Sequence, residues 1–205
     1  MVEALNFFRK PYVEDPRTEK GLKWLLMMRQ NDGGWIGSPL ITLKFNDPET
    51  IRLSTQYAEP LKLDKTLPSS HNWTGMVIRA FAAYKKYKKS EETRIAANLL
   101  KSKFFQEDGY NSYQSASYWV KFQYPFWWNN LLAAMDSISL IGLDKEDNDI
   151  KNALEWFIDN QDNNGLWKLD YNKKKNENNK EHEMKLWVSL AICRVIKRFY
   201  GLHEK

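Results

Sequence analysis

This 205-residue sequence has a single cysteine and no long apolar run. Its single cysteine, Cys193, excludes a disulfide framework and a zinc cluster built on cysteine thiolates, and we expect it to be buried in an apolar helical stripe. No uncharged run reaches the length of about 18 residues that a transmembrane helix needs. The first ten residues contain Glu3 and no long apolar segment, which argues against a signal peptide. A cytoplasmic protein is therefore the default expectation.

Aromatic residues are the most unusual part of the composition. Nine Trp, ten Tyr and ten Phe make up 14% of the chain, and hydrophobic residues together make up 42%. This apolar mass can build a folded core and argues against disorder. The net charge of +5 includes two lysine-rich runs, at 85–89 and 173–175. Because no recognition motif accompanies these runs, we interpret them as solvated positions and expect no nucleic-acid partner.

Apolar residues recur with the spacing of helices along most of the chain. The pattern predicts six helices, which start near Pro16, Trp73, Ser90, Pro125, Asp144 or Asp147, and Glu181. Residues 36–70 contain four prolines and are predicted to form a long loop, and 171–180 is predicted to be a polar surface loop. No strand-like alternation competes with this pattern. The sequence therefore predicts one all-α domain over residues 1–205.

Three predicted helices end in similar segments. Each segment has a Gln, a short polar turn, a Gly and then an aromatic residue: Gln30–Trp35, Gln106–Tyr110 and Gln161–Trp167. Glycine can end a helix in the left-handed conformation, and the Gln side chain can bond carbonyl groups left at the helix end. Self-similarity of this kind indicates helical hairpin repeats of roughly 50 residues.

The third of these segments carries a resemblance to a known repeat. The stretch Ala153–Trp167 resembles the Gln-Trp repeat of squalene cyclases and related terpenoid cyclases, and Lys20–Trp35 is similar with one extra residue before the Gln. The same repeat family includes the β subunits of protein prenyltransferases. The resemblance covers about residues 17–200 and implies an α/α toroid, in which helical hairpins surround a central cavity. Six helices make about three hairpins, so we expect a partial ring. A second copy or a missing N-terminal half completes it, or the chain is a reduced open arc.

The catalytic motifs of both enzyme groups are missing. The chain has neither the Asp-x-Asp-Asp motif of cyclases nor the Asp-Asp-x-x-Asp magnesium motif, and we interpret the acidic stretch 144–149 as a helix cap. Where the resemblance would place the first two zinc ligands of prenyltransferases, the chain has Lys121 and Gln123. A charged lysine cannot ligate zinc. We therefore predict no metal, no cofactor and no zinc-dependent prenyl transfer.

Aromatic residues around the fourth predicted helix, Phe126–Ile141, are the main candidates for a ligand site. Their rings could line a cavity for an isoprenoid or another lipid and stabilise a carbocation, or they could be packing between repeats. The candidate ligand-binding residues are Trp73, Trp119, Tyr124, Trp127, Trp128, Asn129 and Trp187.

Two acids are the candidate catalytic residues. Asp136 is expected on an apolar helix, sharing a face with Asn129, where a buried carboxyl could act as a general acid; a hydrogen bond to a neighbouring helix end is the alternative. Glu183 is expected at the start of the last helix. The alternative to a catalytic role is that it caps this helix or is exposed to solvent. His71 is expected in a turn before a helix, with a position in a site wall as the alternative.

The function that these patterns favour is the binding of a hydrophobic ligand, isoprenoid or lipid-like, by a repeat protein without prenyl transfer. Two alternatives stay open. One is a terpenoid-cyclase-like enzyme that uses Asp136 as a nonstandard acid. The other is a carbohydrate-active α/α-toroid enzyme that uses Asp136 and Glu183 as its pair of carboxylates.

Overall fold

The computed structural model describes residues 16–37, 48, 64–108, 114–125, 128–170 and 178–201, with the backbone alone described at 178–180. Within these ranges the chain is all-α, as the sequence predicts, and Trp35 and Ser70 form an isolated β-bridge. The helices are α1 (Pro16–Met27), α2 (His71–Ala83), α3 (Lys85–Lys88), α4 (Glu91–Lys101), α5 (Leu131–Ile141), α6 (Asn148–Asp159) and α7 (Asn178–Tyr200), with a 3-10 helix at Ala116–Val120.

Side-chain caps begin four of these helices. Ser70, Ser90, Asn130 and Asp147 each accept a hydrogen bond from a backbone N–H in the first turn of α2, α4, α5 and α6, respectively. Asp147, rather than Asp144, is therefore the cap of the fifth predicted helix. Gly142 ends α5 with a φ of 86°, in the left-handed region that favours glycine.

The start of α5 differs from the prediction. The helix begins at Leu131, not at 126, because the two asparagines before it are engaged elsewhere. Asn130 is the N-cap, and Asn129 donates a hydrogen bond to the carbonyl of His71 in α2. Asn130 has extended backbone angles, with φ −126° and ψ −179°, just where apolar spacing indicates helix.

Two other predicted boundaries are also wrong. The second predicted helix is interrupted at Tyr84, where φ is −110° and ψ is 116°, so the lysine-rich residues after it form the separate helix α3. Helix α7 begins at Asn178, inside the predicted loop 171–180, and 171–177 lies outside the described residues. Most of the predicted loop 36–70 also lies outside them.

Helix α5 forms the centre of the described fold. It packs against both α2 and α7, and α4 packs against both α2 and α5. Leu131, Leu132, Met135 and Ile138 of α5 are fully buried, and burying a large aliphatic side chain contributes about 1.5–3 kcal/mol. Within the described ranges, none of the helices combines the length and the apolarity that a bilayer-spanning segment needs.

Two of the three similar segments make matching hydrogen bonds. The indole N–H of Trp35 donates to the carbonyl of Leu25 at 2.7 Å, and that of Trp167 donates to the carbonyl of Phe157 at 2.7 Å. Their backbone N–H groups donate to hydroxyls of the following long helix, Thr74 Oγ1 in α2 and Ser189 Oγ in α7. Each tryptophan therefore joins the end of one helix to the next one in the same way, α1 to α2 and α6 to α7. The helical hairpin repeat and the toroid stay predictions.

The glutamines of these segments follow the predicted role in one case. Gln106 Nε2 donates to the carbonyl of the α4 C-cap residue at 2.8 Å. Gln30 Nε2 instead donates to two carbonyls of the loop 64–67, and Gln161 Nε2 donates to Gly165 in its own turn. The prediction that glutamine bonds a helix-end carbonyl is wrong for Gln30 and Gln161, because a closer acceptor is supplied by a loop or by the turn.

Candidate functional site

The predicted aromatic ligand residues lie in different environments. Trp119 belongs to the core: it is fully buried, and its indole N–H donates to the carbonyl of Gln106 at 2.9 Å. Trp73 is half-buried on α2, where it packs against that core. Trp128 is 46% exposed. Trp127 lies outside the described residues.

Tyr124 and Trp187 form an aromatic pair at the surface. Their rings stack with centroids 5.5 Å apart and an interplanar angle of 10°. The indole N–H of Trp187 points along α7 to Glu183 Oε1 at 3.4 Å. The candidate ligand residues that the structure describes therefore include both a core residue, Trp119, and a stacked aromatic pair at the surface.

Asp136 differs from the buried acid that the sequence predicts. Its side chain is 37% exposed and forms an ion pair with the guanidinium of Arg198, near the C-terminal end of α7. It shares no helix face with Asn129, because that residue precedes α5. The prediction of a buried acid is therefore wrong, and the alternative, a hydrogen bond to a neighbouring helix end, is what forms.

Asp136 and Glu183 do not lie together. The first contacts Arg198, whereas the second lies near the opposite end of α7. With a rise of 1.5 Å per residue, about 22 Å of helix separates Glu183 from Arg198. The two carboxylates of a glycosidase stand within about 10 Å of each other. The carbohydrate-active alternative thus loses its predicted pair.

Asn129 is a joint between α2 and the residues before α5. Its Nδ2 donates to the carbonyl of His71 at 3.0 Å, and its backbone N–H donates to Asn72 Oδ1 at 3.2 Å. A Cβ added to Gly75 would lie 2.0 Å from the Asn129 amide carbon, so glycine is what permits this contact. The buried Oδ1 of Asn129 has no hydrogen-bond partner.

A cavity of about 310 Å³ opens at the N-terminal end of α2, and we call it the His71 pocket. Its walls combine apolar and titratable side chains, among them Pro68, His71, Leu99, Leu100, Lys103 and Asp108. His71 is the first residue of α2, only 6% exposed, and its imidazole packs against the ring of Trp119 at 4.6 Å between centroids. The pocket therefore holds a buried imidazole fixed by an aromatic neighbour.

Buried hydrogen bonds hold the polar side of the His71 pocket in place. Ser70, the N-cap of α2, accepts from the backbone N–H of Trp73 and donates through Oγ to Asp108 Oδ2. The backbone N–H of Asp108 donates to the carbonyl of Gln114 at 2.8 Å. These bonds tie the turn after α4 to the start of α2, and they supply partners that buried polar groups need.

Burial has the largest effect on the pKa of His71 and lowers it below its ordinary value of 6.5. The negative charge of Asp108 opposes this by raising the pKa, and the positive charge of Lys103 adds to the lowering. The imidazole is therefore neutral at neutral pH, with one nitrogen that donates and one that accepts a hydrogen bond.

Acidification should cost the wild type stability through His71. The unfolded chain binds a proton near pH 6.5, above the lowered pKa of the folded state, so the contribution is complete above pH 6.5 and is lost as the pH falls through the folded pKa. We expect the Tm to fall less between pH 7 and pH 5 in His71→Asn than in the wild type. His182→Asn, at an exposed position of α7, is the control and should match the wild type. Equal slopes in all three proteins would contradict the prediction.

A second opening of about 380 Å³ lies between α6 and α7, and we call it the α6–α7 groove. Its walls are mainly apolar: Ile158, Trp167, Cys193 and Ile196, with Gln161 and Lys197 beside them. Cys193 is exposed, so the prediction of a buried thiol is wrong. Cys193 does lie in an apolar stripe of α7, but that side of the helix faces solvent.

Sequence reasoning missed most of the His71 pocket. It started the second helix at Trp73, whereas Ser70 caps that helix. The serine before the apolar run was an available signal, because serine is a preferred N-cap. Asp108 and Lys103 carried no comparable signal, since only the packing of α4 against α2 brings them to His71.

Lys121, which stands where the resemblance would place a zinc ligand, contacts an aromatic ring. Lys121 Nζ lies over the ring of Tyr118, 4.4 Å from its centroid. In the part of the chain that the structure describes, no three His, Cys, Asp or Glu side chains form a group that could hold a metal ion. Comparison of the chain with protein-family models, with curated proteins and with solved structures finds no match.

Proposed function

We propose that this chain is a helical-repeat protein that binds a small amphipathic molecule in the His71 pocket. The observation that carries the proposal is the meeting of buried His71 and Asp108 at an opening whose other wall is formed by leucines of α4, with Ser70 hydrogen-bonded to Asp108. Ligand sites commonly combine an apolar lining with a few fixed polar groups.

The polar wall suits a ligand with hydrogen-bonding groups. A neutral imidazole can bind either a donor or an acceptor, and the ring of Trp119 packs against it at an interplanar angle of 39°. Lys103, Glu107 and Asp108 put charges of both signs around the opening. A zwitterionic or uncharged polar group therefore fits this wall better than a bare hydrocarbon does.

The apolar wall would contact the other, apolar end of the ligand. Leu99 and Pro68 offer surface whose removal from water contributes about 25 cal/mol per Å². A volume of about 310 Å³ is at the small end of the range for small-molecule sites. We therefore propose a small ligand with one apolar and one polar end.

A second candidate is the isoprenoid or lipid-like ligand that the sequence favours, bound in the α6–α7 groove. Its supporting observation is the apolar lining by Trp167, Ile196 and Ile158. In the comparable α1–α2 pair, Trp35 packs edge-to-face against Phe81 at 5.6 Å, whereas Trp167 borders an opening. An apolar group of a ligand could pack against Trp167 as Phe81 packs against Trp35.

Native mass spectrometry of the protein purified from its host tests both candidates. Leu99→Trp should fill the His71 pocket and Ile196→Trp should fill the α6–α7 groove, so we expect a co-purified mass to be lost from Leu99→Trp and kept by Ile196→Trp. Asn98→Trp, at an exposed neighbour on α4, is the matched control and should keep the mass.

Loss of the co-purified mass from Ile196→Trp alone would favour the second candidate. A wild type that carries no bound mass and shows no change in Tm with a library of small amphipathic molecules would contradict both.

A further inference from the structure

One side of α7 is apolar and partly exposed between Leu186 and Cys193. Leu186, Trp187 and Leu190 are between 42% and 45% exposed, and Cys193 is exposed as well. Their spacing places them on one strip of the helix, which we call the outer face of α7. The opposite strip, with Val188, Ile192 and Val195, is buried in the core. Large apolar residues gathered on one exposed strip are typical of an interaction surface.

The comparable face of α2 has helices packed on it. Because Thr74 and Ser189 bond the two matching tryptophans, they can be taken as equivalent positions. His71 and Ile78 then correspond to Leu186 and Cys193, and both of these α2 residues are buried. Helices α4 and α5 pack against α2. A helix is therefore the kind of element that this face accepts.

The charges along α7 indicate which helix would fit. Glu183 lies at the N-terminal end of the outer face, and Arg194 and Lys197 lie at its C-terminal end. A second α7 running antiparallel would place the acidic end of each helix against the basic end of the other. Leu190 is midway between Glu183 and Lys197, so it would meet its own copy, and Trp187 would lie near the partner's Arg194, where a cation–π contact can form.

We propose that the outer face of α7 is the contact surface of a homodimer, in which two copies of α7 pack antiparallel around Leu190. Antiparallel pairing of identical helices is self-complementary, as a two-fold interface requires. The contact is essentially one helix against another, smaller than the standard interface of about 800 Å² per partner. We therefore expect a concentration-dependent dimer with a Kd on the order of 10 µM. The surface is separate from the His71 pocket, so the dimer does not depend on the proposed ligand.

Sedimentation velocity of the full chain from about 1 to about 200 µM tests the association. The wild type should shift from one copy to two as its concentration rises, and Leu190→Glu should stay monomeric because it places two carboxylates opposite each other at the centre. Met27→Glu changes an exposed apolar residue of α1 in the same way and should still dimerise, because α1 packs against α2 and not at the outer face of α7. A wild type that stays monomeric throughout, or a Met27→Glu variant that fails like Leu190→Glu, would overturn the proposal.

Disulfide trapping tests the antiparallel geometry. In a Cys193→Ser background, Leu190→Cys should form an intermolecular disulfide under mild oxidation, because the two copies of that residue meet at the two-fold axis. Glu183→Cys in the same background should not, since its two copies would lie about 20 Å apart along the helices. Trapping through Glu183→Cys and not through Leu190→Cys would overturn the arrangement.

A charge exchange gives a third readout that changes no apolar residue. Glu183→Lys should weaken the dimer several-fold, because it faces the basic end of the partner. The double variant Glu183→Lys, Lys197→Glu exchanges the two signs and should restore most of the affinity. If the double variant dimerises more weakly than both Glu183→Lys alone and Lys197→Glu alone, the two ends do not face each other and the antiparallel model is rejected.

Discussion

Trp119→Ala is expected to destabilise the fold by about 3–5 kcal/mol, the cost typical of removing a large buried aromatic ring. The ring is fully buried, lies edge-to-face with Phe104 at 5.2 Å and packs against the imidazole of His71. Its removal also leaves the carbonyl of Gln106 without the indole donor. A typical domain has only about 5–15 kcal/mol of stability, so the loss is a large fraction. Urea denaturation followed by circular dichroism measures it.

Trp128→Ala is the matched control for that experiment. Trp128 was the same kind of ligand candidate on sequence grounds, but its side chain is largely exposed, and the hydrogen bond from Arg79 goes to its backbone carbonyl. We expect a change within about 0.5 kcal/mol, as for surface substitutions in general. If Trp119→Ala changed stability as little as Trp128→Ala, the assignment of Trp119 to the core would be wrong.

Gly75→Ala is expected to destabilise the fold by about 2–3 kcal/mol, at the upper part of the range for overpacking. The new Cβ would lie 2.0 Å from both Cγ and Oδ1 of Asn129, closer than any non-bonded contact allows. Asn129 would have to move, and its hydrogen bond to the carbonyl of His71 would be strained or lost. The same denaturation experiment measures the change.

A double-mutant cycle separates this contact from the general cost of altering α2. Asn129→Ala removes the side chain that Gly75→Ala would meet. We expect the double variant to be more stable than the sum of the two single changes implies, with a coupling of roughly 1–2 kcal/mol. Additive effects would mean that the cost of Gly75→Ala does not come from Asn129.

The fold class could be predicted from the sequence because it depends on local patterns. Apolar spacing identifies the helices, Ser90 and Asp147 are capping residues at their starts, and Gly142 ends α5 as expected. The start of α5 could not be predicted in this way. Asn129 leaves the helical conformation to bond a residue more than fifty positions earlier, and no local pattern records such a contact.

The candidate site was harder to predict than the fold. Asp136 reads as buried because its neighbours along α5 are apolar, yet Arg198 reaches it at the surface from the end of α7. Trp119 reads as a ligand residue because aromatic residues follow it closely, yet it fills the core. Apolar spacing gives the face on which a residue lies but not what packs on that face.

The all-α class follows from the sequence, because helix spacing and turn residues act over a few neighbouring positions. Which polar groups meet depends on tertiary packing. Packing of α4 against α2 brings Asp108 and Lys103 to His71, and packing of α7 against α5 leaves the outer face of α7 exposed. These contacts join residues far apart in the chain, so their energies depend on how the helices pack and not on any one segment.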